Sequence, residues 1–229
     1  MLPIILVPGL TGSLRSYADI LPGLWRHGPV TVAHPTEDDT MAGMAKRILA
    51  EAPPRFVLIG HSMGGYVALE IMRQAAARVA KLALLNTSAR TDAPEVTEAR
   101  LRRIALTRQG RFAEQQAAAF PNSVHPSRAG DPALREQARL AAEEVGPDAF
   151  IRQQTAIMGR SDSRPLLADI RIPTLVLTSD TDLLVSNAFS REMAEAIPGA
   201  RLVIVADCGH SSPAEQPAAV NAALDTLLA

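Results

Sequence analysis

The chain has 229 residues, 47% of them apolar and 21% charged, a balance that suits one sizeable core and excludes a disordered or fibrous chain. Lysine and arginine (23) nearly match aspartate and glutamate (24), and the net charge of −1 argues against nucleic acid or a membrane as partner. The one cysteine, Cys208, excludes an internal disulfide and fits a reducing compartment.

The first element is the apolar run IILVPG at residues 4–9. No basic residue precedes it, and Pro3 and Pro8 interrupt the apolar stretch, so it reads as a strand and not as a secretion signal. No run approaches the ~18 residues of a membrane span, and a cytoplasmic protein is the expectation. Five further runs follow: VTVAHP (30–35), FVLIG (56–60), LALLNTS (82–88), TLVLTSD (174–180) and RLVIVAD (201–207). All are rich in Val, Ile and Leu without alternation, as strands covered on both faces read. Helical patterns fall between them, at roughly 16–26, 41–51, 63–76, 187–196 and 217–228. Strand, helix, strand in succession predicts an α/β fold with a mainly parallel sheet of about six strands flanked by helices.

One interval breaks this rhythm. No strand pattern occurs between residues 89 and 172, where the sequence is rich in Arg and Ala with helix punctuation. Gly110 follows one helix and Pro121 ends another, Asp131-Pro132 supplies an N-cap with a first-turn proline, Gly146-Pro147 separates two more, and Gly159 stands at a C′ position. About four helices are expected there. They predict a helical cap over residues 90–165, inserted into a core made of residues 1–89 and 166–229.

The third strand runs into Gly60-His61-Ser62-Met63-Gly64, a G-x-S-x-G sequence with a strand before it and a helix after it. A serine at the tip of so tight a turn projects its hydroxyl above the sheet, on strained backbone. Side chains at 60 and 64 would collide as strand and helix close up, and Gly65 lets the helix approach the neighbouring strands. The helix start aims N–H dipoles at any anion formed beside Ser62. The bland reading, a glycine-rich turn whose serine caps a helix, does not explain the extra glycine.

A serine hydroxyl needs a base to take its proton and a third group to orient that base. After such an elbow the acid and the histidine follow in that order from later strand ends. Past the fifth strand the chain reads SDTDLL, and past the sixth DCGHSS. His210 is the one histidine after Ser62 that follows a strand end, and Gly209 gives its loop freedom to turn back. His61 is badly placed to reach its neighbour's hydroxyl, and His27, His34 and His125 suit solvated or packing roles. Asp180 and Asp182 both suit the acid, the other then capping the helix near Asn187 or holding the loop. Asp92 and Asp207 are weaker. An oxyanion would need two N–H donors, expected from Met63 and from Leu10 in the loop after the first strand.

These residues resemble the α/β-hydrolase superfamily: Gly-His-Ser-Met-Gly-Gly, a late aspartate, and Cys-Gly-His followed by Glu-x-Pro and an apolar helix. The resemblance spans nearly the whole chain, from IILVPGLTGS through IPTLVLTSDTD to GHSSPAEQPAAVNAAL. It implies a Gly-x-x-Asp pattern at the acid strand, and setting Ser179 at the glycine position assigns the acid to Asp182, with Asp180 as the alternative. Two departures stand out. Pro8-Gly9 replaces the family's usual His-Gly in the oxyanion loop, and the chain begins at what the family counts as its third strand, so the N-terminal antiparallel hairpin is expected to be missing. Ser62 argues against the dehalogenase and epoxide hydrolase branches, which carry aspartate as nucleophile, and His61 against carbon–carbon bond hydrolases with asparagine there. The cap and small size resemble enol-lactonases and small carboxylesterases.

The expectation is a serine hydrolase that needs no cofactor and acts on small carboxylic esters, lactones or thioesters. The alternatives are a carbon–carbon bond hydrolase or lyase with the same residues, and a non-catalytic ligand receptor. Other features have plain readings. Asp39 or Thr40 caps the next helix, Ser212-x-x-Glu215 forms a capping box before Pro217 opens the last helix, Trp25 packs, and Cys208 is a small buried hydrophobe. Arg100, Arg102, Arg103, Arg108 and Arg111 form a solvated helix face, with attraction of a carboxylate-bearing substrate as the other reading.

Overall fold

The computed structural model describes residues 1–229 and contains six strands: β1 (Ile4–Val7), β2 (Val30–Val32), β3 (Phe56–His61), β4 (Val79–Leu85), β5 (Thr174–Ser179) and β6 (Arg201–Val205). They form one sheet in the order β2-β1-β3-β4-β5-β6, every pair parallel. Parallel neighbours need crossovers, and the crossovers cover both faces. Alternate residues of each strand therefore enter different cores. Ile5, Val7, Phe56, Leu58, Leu82 and Leu84 pack with Met41, Met44, Val67 and Met193 on one side. Ile4, Leu6, Val57, Ile59, Ala83 and Leu85 pack with Tyr17, Ile20, Leu24, Val220 and Leu224 on the other. Central strands β1, β3 and β5 are buried along their whole length, while edge strands β2 and β6 are not.

The strand bounds differ from the apolar runs by a few residues. β1 stops before Pro8, which has no N–H for the ladder. β4 starts three residues before the run because a charged residue, Lys81, hides the strand; Lys81 is half-buried and its Nζ donates to the Leu228 carbonyl at 3.0 Å. β4 and β6 end where Asn86 (φ 46°) and Asp207 (φ 49°) turn out of the extended region.

The helices expected at 41–51, 63–76, 187–196 and 217–228 are present, with the first capped by Thr40 and the last opened by Pro217. The pattern at 16–26 is not one helix. Pro22, with no N–H to give the Ala18 carbonyl, leaves a 3-10 turn at Leu14–Tyr17 and a single α-helical turn, α1 (Leu21–Leu24), after which Trp25 is exposed and not packed. α2 (Met41–Glu51) and α3 (Met63–Ala75) follow.

Between β4 and β5 lie α4 (Pro94–Arg108), α5 (Phe112–Ser123), α6 (Pro132–Met158) and α7 (Arg164–Leu167). Asp131 caps α6, accepting from the Ala133 and Leu134 amides at 2.8 and 3.1 Å, and α6 is broken at Gly146 (φ 78°, ψ 168°). Pro121 lies inside α5 and does not end it, and Gly159 ends α6 at an ordinary φ of −84°, where no left-handed cap is needed. Phe112, Ala142 and Phe150 from these helices form a small core of their own, against which Leu10 of the β1 loop packs. α8 (Asn187–Ala196), the short α9 (Ser212–Glu215) and α10 (Pro217–Leu228) complete the chain. No helix is long and apolar enough to cross a membrane.

Candidate active site

β3 delivers Ser62 at φ 54°, ψ −118°, a backbone region that costs a non-glycine residue about 1–3 kcal/mol. The turn is held from the next strand: the Ser62 amide donates to the Leu85 carbonyl at 2.9 Å, and Thr87 Oγ1 donates to the Ser62 carbonyl at 2.8 Å. The glycines are needed for close approach. A Cβ on Gly60 would meet the Gly64 carbonyl, one on Gly64 the Val7 carbonyl, and one on Gly65 the Thr87 side chain.

β5 and β6 bring two further side chains to this point. His210 Nε2 lies 2.8 Å from Ser62 Oγ, and His210 Nδ1 lies 2.8 Å from Asp182 Oδ2. A carboxylate only accepts, so Nδ1 carries the proton, Nε2 is bare, and the Ser62 hydroxyl donates to it. Asp182 Oδ1 accepts from the Leu184 and Val185 amides at 2.9 Å each, and Oδ2 also accepts from Asn86 Nδ2 at 3.0 Å. Burial alone would raise the Asp182 carboxyl, but the His210 charge and hydrogen bond with the other donors outweigh it and hold it below the usual carboxylate range. Asp180 points away and holds the neighbouring loop, accepting from the Asp207 and Cys208 amides at 2.8 and 3.0 Å. Ser186 caps α8.

Three consecutive amides in the loop after β1 are sorted by their partners. Gly9 N–H donates to Tyr17 Oη at 3.0 Å and Thr11 N–H to Gln153 Oε1 at 3.0 Å, whereas Leu10 N–H between them engages no group of the chain. Gly9 lies against the elbow, where a Cβ would stand 3.1 Å from Ser62 Cβ. Met63 opens α3, so its N–H has no intrahelical acceptor.

His61 is buried and joins these parts. It faces Tyr17 Oη with Nδ1 at 3.0 Å and the His210 carbonyl with Nε2 at 2.9 Å. The carbonyl only accepts, so Nε2 carries the proton and Tyr17 O–H donates to Nδ1. Burial and the adjacent His210 push His61 down to about 4, and burial pushes the Tyr17 phenol up despite the Gly9 hydrogen bond.

The loop that carries His210 is clamped by the end of α5 and the segment that follows it. Ser211 N–H donates to the Ser123 carbonyl at 2.9 Å, and Arg128 Nη1 to the Asp207 carbonyl at 2.5 Å. The buried Glu215 carboxylate accepts from the Gly209 amide at 3.0 Å and the His125 amide at 2.7 Å. Glu215 thus reaches across to this segment instead of back to its own helix start, and Ser212 donates to Asn86, so the expected capping box does not form. Gly209 is required for contact and not for freedom, since a Cβ there would overlap the Val124–His125 backbone.

The remaining candidates lie elsewhere. His27 pairs with Asp225 at 2.7 Å, His34 is exposed, and His125 bonds Ser127 at 2.7 Å. Asp92 takes Arg100 at 2.7 Å and Arg160 at 2.9 Å; burial would raise it, but the two guanidinium groups hold it low. The arginine face is therefore only partly solvated, with Arg103 lying over the Phe150 ring at 5.0 Å. Cys208 is buried, and its thiol is pushed up to about 12. No group of three His, Cys, Asp or Glu side chains is arranged to hold a metal ion. Sequence reading missed Asn86, Tyr17, Gln153 and the link made by Glu215. Asn86-Thr87 left a signal, a polar pair closing an apolar strand, while Gln153 on a long helix left none.

A model of the alpha/beta hydrolase family matches residues 4–223. The chain is 31% identical to the pimeloyl-[acyl-carrier protein] methyl ester esterase of Aromatoleum aromaticum over 217 residues, covering 90% of this chain and 84% of that protein. Among solved structures it is similar to a thermophilic esterase from Thermogutta terrifontis (29% identity, TM-score 0.86, 100% of this chain and 89% of that one). It is also similar to the enol-lactonase from Burkholderia xenovorans LB400 (25% identity, TM-score 0.88, 100% and 92%).

Proposed function

The chain belongs to the alpha/beta hydrolase family, and from that premise we propose that it is a serine hydrolase of small carboxylic esters, lactones or thioesters. The observation that carries this reading is the row Ser62 Oγ–His210–Asp182, with 2.8 Å at each link. In this reading Ser62 Oγ attacks the acyl carbonyl as its proton passes to His210 Nε2, and the ionised Asp182 stabilises the resulting imidazolium. The carbonyl oxygen gains negative charge and is held by the Leu10 and Met63 N–H groups, which have nothing else to bond. His210 returns its proton to the leaving alkoxide or thiolate, the acyl group stays on Ser62 as an ester, and a water activated by His210 releases the acid.

We assign residues 90–165 as a cap that shapes the acyl pocket and limits water there. The packing of Phe112, Ala142 and Phe150 against Leu10 supports this, because it sets an apolar wall beside a proposed oxyanion donor. The relatives named for ester and lactone hydrolysis support the substrate class.

A panel of aryl esters, a small lactone, an acyl thioester and a vinylogous diketone tests the proposal. Turnover of one or more of the first three, falling by about 10⁴-fold or more in Ser62→Ala, is expected. Cleavage confined to the diketone would move the protein to carbon–carbon bond hydrolysis, and inertness toward all four would favour a ligand receptor.

A further inference from the structure

β4 lies between β3 and β5 in the sheet, so the chain leaving β4 emerges between the elbow serine and the acid loop. The two residues there, Asn86 and Thr87, are fully buried, although a polar pair after a strand is ordinarily a solvated turn. Each grips one side. Thr87 Oγ1 donates to the Ser62 carbonyl at 2.8 Å. Asn86 Nδ2 donates to Ser179 Oγ at 2.9 Å and to Asp182 Oδ2 at 3.0 Å, while its Oδ1 accepts from Ser212 Oγ at 2.6 Å.

A carboxylate can only accept, so the amide is oriented with nitrogen toward Asp182 and oxygen toward Ser212. Asp182 Oδ2 therefore has two donors, His210 Nδ1–H and Asn86, and Oδ1 has the Leu184 and Val185 amides. The Asp182 side chain has 0% exposure, and its four donors are all supplied by the chain. Ser212 stands two residues after His210, which means one buried amide joins the acid loop to the base loop.

We infer that Asn86 is a positioning residue for the Asp182–His210 pair. Its amide fixes the rotation of the carboxylate about Cβ–Cγ. By sharing Oδ2 it also lowers that oxygen's basicity, so the Nδ1 proton stays on His210 while Nε2 takes the proton of Ser62. The consequence for rate rests on the serine-hydrolase reading; the positioning has a readout of its own.

Asn86→Gly is the cleanest variant, because at φ 46° glycine keeps the backbone without strain while the side chain is removed. Asn86→Asp keeps the shape but replaces the donor by an oxygen that donates only while it holds a proton. With an activated ester, Asn86→Gly is expected to lower kcat by about 10- to 100-fold with KM little changed. In Asn86→Asp the loss should grow as pH rises, a trend that loosened packing alone does not produce.

The low-field proton resonance of His210 Nδ1–H, identified by its loss in His210→Ala, should shift or broaden in both variants. Ser212→Ala, which frees the far side of the amide, should give a smaller change in the same direction. Thermal unfolding confirms that each variant folds. A folded Asn86→Gly protein with wild-type kcat, pH profile and low-field resonance would overturn the inference. A wild type that turns over no ester, with a resonance that still answers to Asn86, would sink the hydrolase reading and leave the positioning intact.

Discussion

His61 donates from Nε2 to the backbone carbonyl of His210 at 2.9 Å, so the residue before the elbow serine holds the chain segment that carries the serine's imidazole partner. Tyr17 closes the other side of the ring and in turn takes the Gly9 amide. One neutral tautomer satisfies every bond in this line. A second proton on His61 would set two N–H donors against a phenol oxygen and leave the phenol proton without an acceptor.

That line fixes a pH dependence of stability. His61 titrates at about 4 when folded, against an ordinary ~6.5 when unfolded, so the unfolded chain binds more protons between these values. Its contribution is complete above pH 6.5 and is lost as pH falls toward 4, amounting to roughly 3 kcal/mol. Lowered carboxylates such as Asp92 and Asp182 also favour the fold at higher pH, but their loss begins only near pH ~5 and is common to the wild type and a His61 variant, so it cancels between them. Urea unfolding at pH 7 and pH 4.5 should show this slope in the wild type and a much flatter one in His61→Gln, whose amide nitrogen can still reach the His210 carbonyl. Equal slopes would remove His61 from the account.

The two loop aspartates should separate in kinetics. Asp182→Asn leaves the imidazole in the wrong tautomer or unsupported and should reduce kcat by about 10⁴-fold. Asp180→Asn retains one acceptor for the Asp207 and Cys208 amides and should keep activity within about tenfold. A larger loss at 180 than at 182 would reassign the acid.

Much of the fold is legible in the sequence. β3, the elbow and the order of the later strand ends could be read because burial on both faces writes continuous Val, Ile and Leu, and a tight turn writes glycine. Spacing alone barely divides Asp180 from Asp182, because their difference is one of side-chain direction, and the choice of Asp182 comes from the family's Gly-x-x-Asp pattern. The single helix expected at 16–26 failed where Pro22 outweighed apolar spacing, and the capping box failed because Glu215 had a stronger use in tertiary contact. Tertiary hydrogen bonds such as Gln153 to Thr11 join residues 142 positions apart and leave no local trace.

Gln153 anchors the loop on which Leu10 sits, donating to the Pro35 carbonyl at 3.0 Å while accepting from Thr11 N–H. Gln153→Leu removes both bonds with little change in volume. Steady-state kinetics should show kcat reduced by about tenfold, with a smaller effect on KM, because only the geometry of the proposed oxyanion donor Leu10 is disturbed. A rise in KM at constant kcat would place Gln153 in substrate binding instead.

Glu215 is the buried junction between the His210 loop and the segment after α5. Glu215→Ala strands the Gly209 and His125 amides and removes the carboxylate 3.6 Å from Arg128, a combined loss of about 3 kcal/mol in urea unfolding. A change below about 0.5 kcal/mol, the range of ordinary surface substitutions, would show the clamp to be idle.

In the proposed function the imidazole at 210 makes the hydroxyl at 62 nucleophilic. The direct measurement is peptide mass mapping after exposure to a fluorophosphonate, on the wild type and on folded His210→Ala. One phosphonyl adduct on Ser62 is predicted, formed at a rate that collapses in His210→Ala. An adduct on another residue, or equal labelling of Ser62 in both proteins, contradicts the account.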